Sequence, residues 1–209
     1  MAARGPLLGI LLAIAAAGAA QAQGGNMEPG SFAWGENVGW INFAPSRGPG
    51  VTVGDSSVIG LAWGENVGWI DLAPATAGVV NDGTGRLSGF AWGENVGWID
   101  FAPTGAGVTI DCKGRFAGRA WGENIGWVTF GSTTAVDFGV ATFFRPPPPR
   151  GDINGDCTVN VDDLNLVLAA RNTPASGPGD PRDLDGDGTI TALDARILTT
   201  LCSKPRCAR

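Results

Sequence analysis

The chain has 209 residues, a formal net charge of −6, and neither histidine nor tyrosine. The length allows one or two modest domains, and the acidic charge argues against nucleic-acid binding, which needs basic patches. The lack of histidine removes the commonest general base and, with it, any Ser-His or Cys-His nucleophile.

The N-terminus has the pattern of a signal peptide. Arg4 precedes an apolar run from Leu7 to Ala20, and Ala20-Gln21-Ala22 is an A-x-A cleavage signal. As a helix this run spans only ~21 Å, which is short of the ~30 Å hydrocarbon core and makes an uncleaved anchor the weaker alternative. We predict that residues 1–22 are removed, that no membrane span remains, and that the protein is secreted or held at the cell surface.

A heptapeptide, Trp-Gly-Glu-Asn-(Val/Ile)-Gly-Trp, occurs four times between residues 23 and 144. The copies are spaced 29 residues apart and begin at Trp34, Trp63, Trp92 and Trp121. A fixed period of this length is typical of stacked supersecondary units. Alternation as in Trp98-Ile99-Asp100-Phe101, together with turns containing Gly and Asn, favours about three short strands in each repeat. We therefore predict an all-β tandem-repeat domain over residues 23–144, and we assign these repeats to no family.

The two ends of the repeat region differ. The first repeat lacks a leading strand before Phe32, whereas strand-like sequence from Val136 to Phe144 follows the fourth repeat. This trailing segment could replace the missing strand and close the repeats into a ring or barrel, or it could cap an open stack. Closure is our hypothesis.

The heptapeptide allows two interpretations. In the first, its glycines permit a tight turn and both indoles pack in the core, each burying ~200 Å². In the second, exposed indoles with Glu and Asn form a platform for sugars. We favour the core because a domain with few Leu and Ile residues needs its tryptophans inside. Glycosidase chemistry is expected least, because the second acid is not constant among Asn42, Asp71, Asp100 and Thr129.

Residues 145–150, Arg-Pro-Pro-Pro-Pro-Arg, predict a stiff polyproline II spacer. We therefore place a domain boundary here and treat residues 151–209 as a second domain.

Two acidic loops with the same internal spacing follow the spacer. Oxygen ligands recur at loop positions 1, 3, 5 and 12, and position 7 offers a backbone carbonyl. In the first loop the candidate ligands are Asp152, Asn154, Asp156, Thr158 and Asp163. In the second they are Asp183, Asp185, Asp187, Thr189 and Asp194. Each loop leads into an amphipathic helix, and such a set of oxygens suits a hard cation such as Ca²⁺.

This tandem loop–helix pair, with Asp at position 12 and no helix ahead of either loop, resembles a type I dockerin domain from Gly151 to Leu201. The resemblance implies a small all-α module with pseudo-twofold symmetry and two bound Ca²⁺ ions, each held by one of the ligand sets named above. It also implies docking to a cohesin β-sandwich on another extracellular protein.

The chain departs from the dockerin pattern in two places. The first loop has Cys157 at position 6, where glycine is usual and a side chain costs about 1 kcal/mol. Positions 10 and 11, which help to select the partner in cellulosomal dockerins, are Val161-Asp162 and Ala192-Leu193 rather than the familiar Ser-Thr type pair.

Four cysteines allow three disulfide pairings. Cys202 with Cys207 would close a small terminal loop and leave Cys112 with Cys157 to tie the repeats to the first calcium loop. Alternatively, Cys157 with Cys202 would clasp the two ends of the dockerin-like module. We favour the clasp, because a small module gains most from joining its termini.

The sequence as a whole predicts a secreted, non-catalytic modular protein. Its calcium-dependent dockerin-like domain would dock to a cohesin-like partner and display the Trp-rich β-repeat domain. The alternative is a carbohydrate-binding protein, or one associated with polysaccharide degradation, that uses the Trp, Glu and Asn residues of the repeats. A divergent glycoside hydrolase is a further alternative.

Overall fold

The computed structural model describes residues 25–132 and 137–209. The predicted signal peptide, residues 1–22, and Val136 of the trailing segment lie outside the described residues. Among the helices of the described part, none combines the length and apolarity needed to span a membrane.

The region from residue 32 to residue 129 consists of short antiparallel strands. The strands are β1 (Phe32–Gly35), β2 (Gly39–Asn42), β3 (Val51–Val53), β4 (Val58–Gly64), β5 (Gly68–Asp71), β6 (Val79–Asn81), β7 (Leu87–Gly93), β8 (Gly97–Asp100), β9 (Val108–Ile110), β10 (Phe116–Gly122) and β11 (Gly126–Thr129). The predicted all-β character of this region is confirmed.

Each heptapeptide forms a β-hairpin. In the first, Gly35 of β1 faces Gly39 of β2, and the Val38 N–H donates to the Gly35 carbonyl oxygen (3.3 Å). Gly39 has a φ of 78°, a left-handed conformation that glycine adopts without steric cost, so it lets the chain enter β2 directly after this turn. The hairpins β4–β5, β7–β8 and β10–β11 repeat this pairing.

The four hairpins close into a barrel of eight antiparallel strands. Neighbouring hairpins pair through β2–β4, β5–β7 and β8–β10, and β11 pairs with β1, which joins the fourth repeat to the first. The short strands β3, β6 and β9 pair with the early residues of β4, β7 and β10. Each of the eight strands is therefore paired on both sides, and the barrel has no free strand edge on which a further repeat could stack.

The trailing segment takes the place of the strand that the first repeat lacks. The Phe32 N–H donates to the Gly139 carbonyl oxygen (3.0 Å), as the Arg119 N–H donates to the Gly107 carbonyl oxygen (3.1 Å) in the fourth repeat. Residues Met27 and Thr142 also form a bridge. The hypothesis of closure is therefore confirmed, and the open stack is excluded.

The indoles lie outside the barrel, so the expectation that they pack in the core is wrong. Trp34 and Trp40 are 40% and 45% exposed, whereas their neighbours Ala33 and Ile41 are buried. Side chains alternate across a strand, and a barrel of eight strands has an interior just wide enough for side chains of modest size. That interior is filled by Ala33, Ile41 and their equivalents Ala62, Ile70, Ala91, Ile99, Ala120 and Val128.

The glycines of the heptapeptide also exclude the indoles from the inside. A Cβ on Gly35 would overlap the Val38 side chain, because the fifth residue of each heptapeptide turns inward and packs in the barrel core. The two indoles of each hairpin instead face each other across the strands, with ring centroids 4.8 Å apart for Trp34 and Trp40. Cross-strand aromatic pairs contribute roughly 0.2–1 kcal/mol each, so they stabilise the hairpins from outside.

The turn asparagines join neighbouring repeats in a ring. The Asn66 Nδ2 donates to the Val38 carbonyl oxygen of the preceding repeat (3.0 Å). Asn95 and Asn124 make the equivalent bonds at 3.1 and 3.2 Å. Asn37 completes the ring by donating to the Ile125 carbonyl oxygen (3.3 Å). The asparagine of the heptapeptide is therefore a structural residue.

The C-terminal region contains two helices, as predicted. The elements are α1 (Val161–Ala169), α2 (Ala192–Leu201), a two-stranded sheet of β12 (Thr173–Pro174) and β13 (Thr189–Ile190), and a 3-10 helix (Pro205–Cys207). The helices pack on a small core that includes Val159, Val167, Ile190 and Leu198.

The disulfides join Cys112 to Cys157 and Cys202 to Cys207, so the predicted Cys157–Cys202 clasp is wrong. After α2 ends, the 3-10 helix returns Cys207 to Cys202, with their Cα atoms 5.1 Å apart, a distance that a disulfide spans without distortion. Cys112 lies in the turn between β9 and β10, and its bond crosses the proline-rich segment to the first acidic loop. The barrel and the C-terminal region are therefore covalently joined at two places, the chain itself and this disulfide.

Candidate calcium site and barrel grooves

The second acidic loop brings three carboxylates together. One oxygen from each of Asp183, Asp185 and Asp187 lies within 4.8 Å of the others. The loop wraps around Asp183, whose Oδ1 accepts from the Gly186 N–H (2.8 Å) and whose Oδ2 accepts from the Gly188 N–H (2.9 Å). Both glycines have a positive φ, which glycine adopts without steric cost. In the sequence Asp-Gly-Asp-Gly, the aspartates therefore provide the carboxylates and the glycines allow the backbone to curve around them.

The first loop has the same framework. The Asp152 Oδ1 accepts from the Gly155 N–H (2.9 Å) and its Oδ2 from the Cys157 N–H (2.8 Å). Cys157 has a φ of 76° where the second loop has Gly188 at 85°. A cysteine is strained in this region, and its disulfide to Cys112 holds it there.

The position-12 aspartates close both loops. Asp163 and Asp194 have no exposed surface. The Asp163 carboxylate accepts from the N–H groups of Ile153 (2.8 Å), Asn154 (3.1 Å) and Asn160 (2.9 Å). Asp194 makes the matching bonds to Leu184 and Asp185 through Oδ1 and to Thr191 through Oδ2. Each aspartate is also the third helical residue of a capping box, so loop closure and helix initiation depend on one side chain.

The electrostatics of the second loop favour a bound cation. A hydrogen bond from the Asp187 N–H lowers the pKa of Asp185, but burial and the charges of Asp187, Asp194 and Asp183 together outweigh it and raise this pKa. In the first loop, Asn154 occupies the place of Asp185, and its Nδ2 donates to Asp156 (2.9 Å). That bond, followed by one from the Thr158 N–H, lowers the pKa of Asp156. The second loop therefore holds one more carboxylate than the first, and its negative charges repel one another.

The donor set fits calcium. The carboxylates and amide carbonyl are hard oxygen ligands, which calcium prefers and softer metals do not. Cys112 and Cys157 lie near Asp152, but their sulfur atoms are bonded to each other and are not thiolate ligands.

Two residues that support the loops were missed from the sequence. Asp180 is buried, and its carboxylate accepts from Ser176 and from the Arg182 guanidinium (2.7 Å) just before the second loop. The Arg182 bond is the main reason why the pKa of Asp180 is far below its usual range. Ser203 exchanges hydrogen bonds with the backbone of Val159 at the end of the first loop. The Asp-x-Arg spacing of Asp180 and Arg182 could have indicated their ion pair from the sequence. No sequence pattern indicates the contact between Ser203 and Val159.

The outside of the barrel has grooves between neighbouring hairpins. One of them has a volume of about 740 Å³ and lies between the third and fourth hairpins. Its walls include Phe90, Trp92, Trp98, Asp100, Trp121 and Glu123. A smaller groove of about 400 Å³ lies between the second and third hairpins. Indoles that the sequence analysis placed in the core therefore line clefts on the outside, with carboxylates beside them.

Comparison with known proteins identifies one segment. Residues 150–201 match the family model described as the dockerin type I domain. No curated protein and no solved structure matches the chain. Dockerin domains bind calcium and cohesin partners, which agrees with the oxygen ligands of the two loops. The segment that carries both loops and both helices, residues 150–201, is a type I dockerin domain.

Proposed function

We propose that the chain is a secreted modular protein whose dockerin domain binds two Ca²⁺ ions and docks to a cohesin-like domain of another extracellular protein. The observation that carries this proposal is the matched pair of acidic loops, each closed by a buried aspartate that also begins a helix. Docking would display the Trp-lined barrel at the place where the partner resides.

The ligands of the two ions follow from the loop positions. Asp152, Asn154, Asp156, Asp163 and the carbonyl of Thr158 would hold the first ion. Asp183, Asp185, Asp187, Asp194 and the carbonyl of Thr189 would hold the second. Calcium would supply the countercharge that the convergent carboxylates of the second loop lack.

The two halves of the dockerin domain offer different docking surfaces. At position 11 of the second loop, Leu193 is 51% exposed. At the same position of the first loop, Asp162 is paired with Arg209 (2.6 Å). An exposed apolar side chain is a better anchor for a protein interface than an exposed ion pair, so we expect the second half to face the partner.

The barrel has no assigned catalytic residue, and we propose that it is not an enzyme. Carbohydrate binding is a second candidate function, because the exposed indoles adjoin carboxylates as a sugar platform would require. Addition of a neutral oligosaccharide, followed by NMR of the indole N–H signals in the groove between the third and fourth hairpins, tests this function.

Capture of a cohesin domain tests the docking function. The mature chain, immobilised, should bind at least one member of a panel of type I cohesin domains in millimolar Ca²⁺ and release it in EDTA. The double variant Asp185→Asn/Asp187→Asn should fail to bind, because it removes two converging carboxylates. The control Asp55→Asn neutralises an exposed aspartate of the barrel and should bind normally. Capture that is equal in EDTA, or no capture of any cohesin domain, would refute the proposal.

A further inference from the structure

We propose that the groove between the third and fourth hairpins binds an arginine side chain of a basic partner protein. We call it the Trp98 groove and define it by Phe90, Trp92, Trp98, Asp100, Trp121 and Glu123. Four of these residues are aromatic and 37–44% exposed, and the other two are carboxylates. An aromatic cleft with two negative charges is complementary to a large, weakly hydrated cation.

The chain contains its own example of this recognition. Arg119 stands in the fourth repeat at the position that Phe90 occupies in the third, 29 residues earlier. Its guanidinium lies over the Trp127 ring, 4.6 Å from the centroid. Trp127 is the equivalent of Trp98, so the outer face of this indole accepts a guanidinium within the barrel itself.

The Trp98 groove differs from its equivalent in the fourth repeat in ways that favour an external cation. Phe90 replaces Arg119, so the third repeat has no guanidinium at this position. Asp100 replaces Thr129, which adds a negative charge beside the indole. The Asp100 Oδ1 accepts from the Ala102 N–H (2.8 Å), whereas no described residue donates to its Oδ2 or to the Glu123 carboxylate. These oxygens are therefore free to accept from a guanidinium.

The neighbouring groove is smaller. It contains the equivalent carboxylates Asp71 and Glu94 but has a volume of about 400 Å³, against about 740 Å³ for the Trp98 groove. The Trp98 groove therefore combines more room for a guanidinium with two carboxylates, and the net charge of −6 favours association with a basic partner.

The indole N–H signals of the mature, calcium-loaded chain report binding directly. The chain has eight tryptophans, and single Trp→Phe variants assign their signals in two-dimensional NMR spectra. The probes are the peptide acetyl-Gly-Arg-Gly-amide, its twin with neutral citrulline in place of arginine, and a β-1,4-linked glucose tetramer. We expect the arginine peptide to shift the signals of Trp98 and Trp121, and the two neutral probes to leave them unchanged.

Two variants and a matched control test the residues. The double variant Asp100→Asn/Glu123→Gln should weaken binding of the arginine peptide about fivefold or more, whereas Asp55→Asn, on an exposed loop of the barrel, should not. In Arg119→Gln, the uncovered Trp127 ring should become a second site, and its signal should shift with the arginine peptide. Well-dispersed indole signals show that each variant is folded.

Three results would overturn the proposal. The first is a shift of Trp98 and Trp121 by the citrulline peptide as large as that by the arginine peptide, which would remove the role of charge. The glucose tetramer could shift them while the arginine peptide does not, which would make the groove a carbohydrate site. Finally, the arginine peptide could leave both signals unchanged at millimolar concentration.

Discussion

Chelation of calcium should unfold the dockerin helices and leave the barrel folded. The dockerin core contains few buried apolar residues, and a module of this size needs a metal or disulfide to be stable. Each ion bound as proposed would stabilise the fold by about 2.7 kcal/mol when free calcium is a hundredfold above its dissociation constant. Without the ions, the carboxylates of Asp183, Asp185 and Asp187 repel one another within the loop.

The chain provides separate signals for its two parts. All eight tryptophans lie in the heptapeptides of the barrel, and there is no tyrosine, so indole fluorescence reports the barrel alone. Both α-helices of the described residues lie in the dockerin domain, so circular dichroism at 222 nm follows that domain. In EDTA we expect the helical signal to melt at a much lower temperature while the fluorescence transition stays in place. A melting profile that EDTA does not change would refute the calcium assignment.

A single alanine at Gly89 should destabilise all four repeats together. Gly89 has a φ of 83°, and a Cβ there would overlap the Gly78 carbonyl oxygen. Gly78 directly precedes β6, which pairs with this part of β7, so its backbone cannot move away without disturbing that pairing. Strain of this kind costs about 3 kcal/mol or more. Because the ring is closed, Gly89→Ala should lower the midpoint of one cooperative fluorescence transition.

The matched control is Gly105→Ala. Gly105 has a similar φ of 79°, but an added Cβ would meet no atom within 4 Å. This variant should therefore lose only about 1 kcal/mol, the cost of a left-handed alanine. Equal losses in the two variants would show that backbone conformation alone decides the effect. A fluorescence transition in Gly89→Ala that splits into two steps would show that the repeats unfold separately and would contradict the closed ring.

The calcium loops were predictable because their chemistry is local. The spacing of oxygen ligands and glycines within one loop determines its path, and the helix that follows begins at a capping residue in the same stretch. The same locality made the hairpins predictable, since Gly39 and its equivalents fix each turn. The strands on either side follow from that turn.

The face of the indoles was predicted wrongly, although the sequence contained the signal. In β2 and the residue that follows it, Trp40 and Asn42 alternate with the buried Ile41 and Phe43. Because side chains two residues apart share a face, the tryptophan lies on the face of the variable polar residue, which is Asp71, Asp100 or Thr129 in the other repeats. Ile41, one position after Trp40, was therefore the apolar residue that the sequence offered for the core.

The disulfide pairing depends on tertiary structure and could not be read from the sequence. Cys112 and Cys157 are 45 residues apart, and only the folded barrel and the path of the proline-rich segment bring them together. By the loop-entropy model, a cross-link of this length stabilises the folded chain by about 4 kcal/mol. The disulfide joins Cys157, the sixth residue of the first loop, to the barrel. No local sequence pattern indicates this connection.

Calcium stoichiometry tests the central claim most directly. Isothermal titration of the metal-free chain, produced from residue 23 onward, with CaCl₂ should give two ions per chain. The double variant Asp185→Asn/Asp187→Asn, which removes two of the three converging carboxylates, should reduce this to one ion held by the first loop. Asp55→Asn should retain two. No binding in the unmodified chain, or the same stoichiometry in the double variant, would contradict the assignment of the two loops.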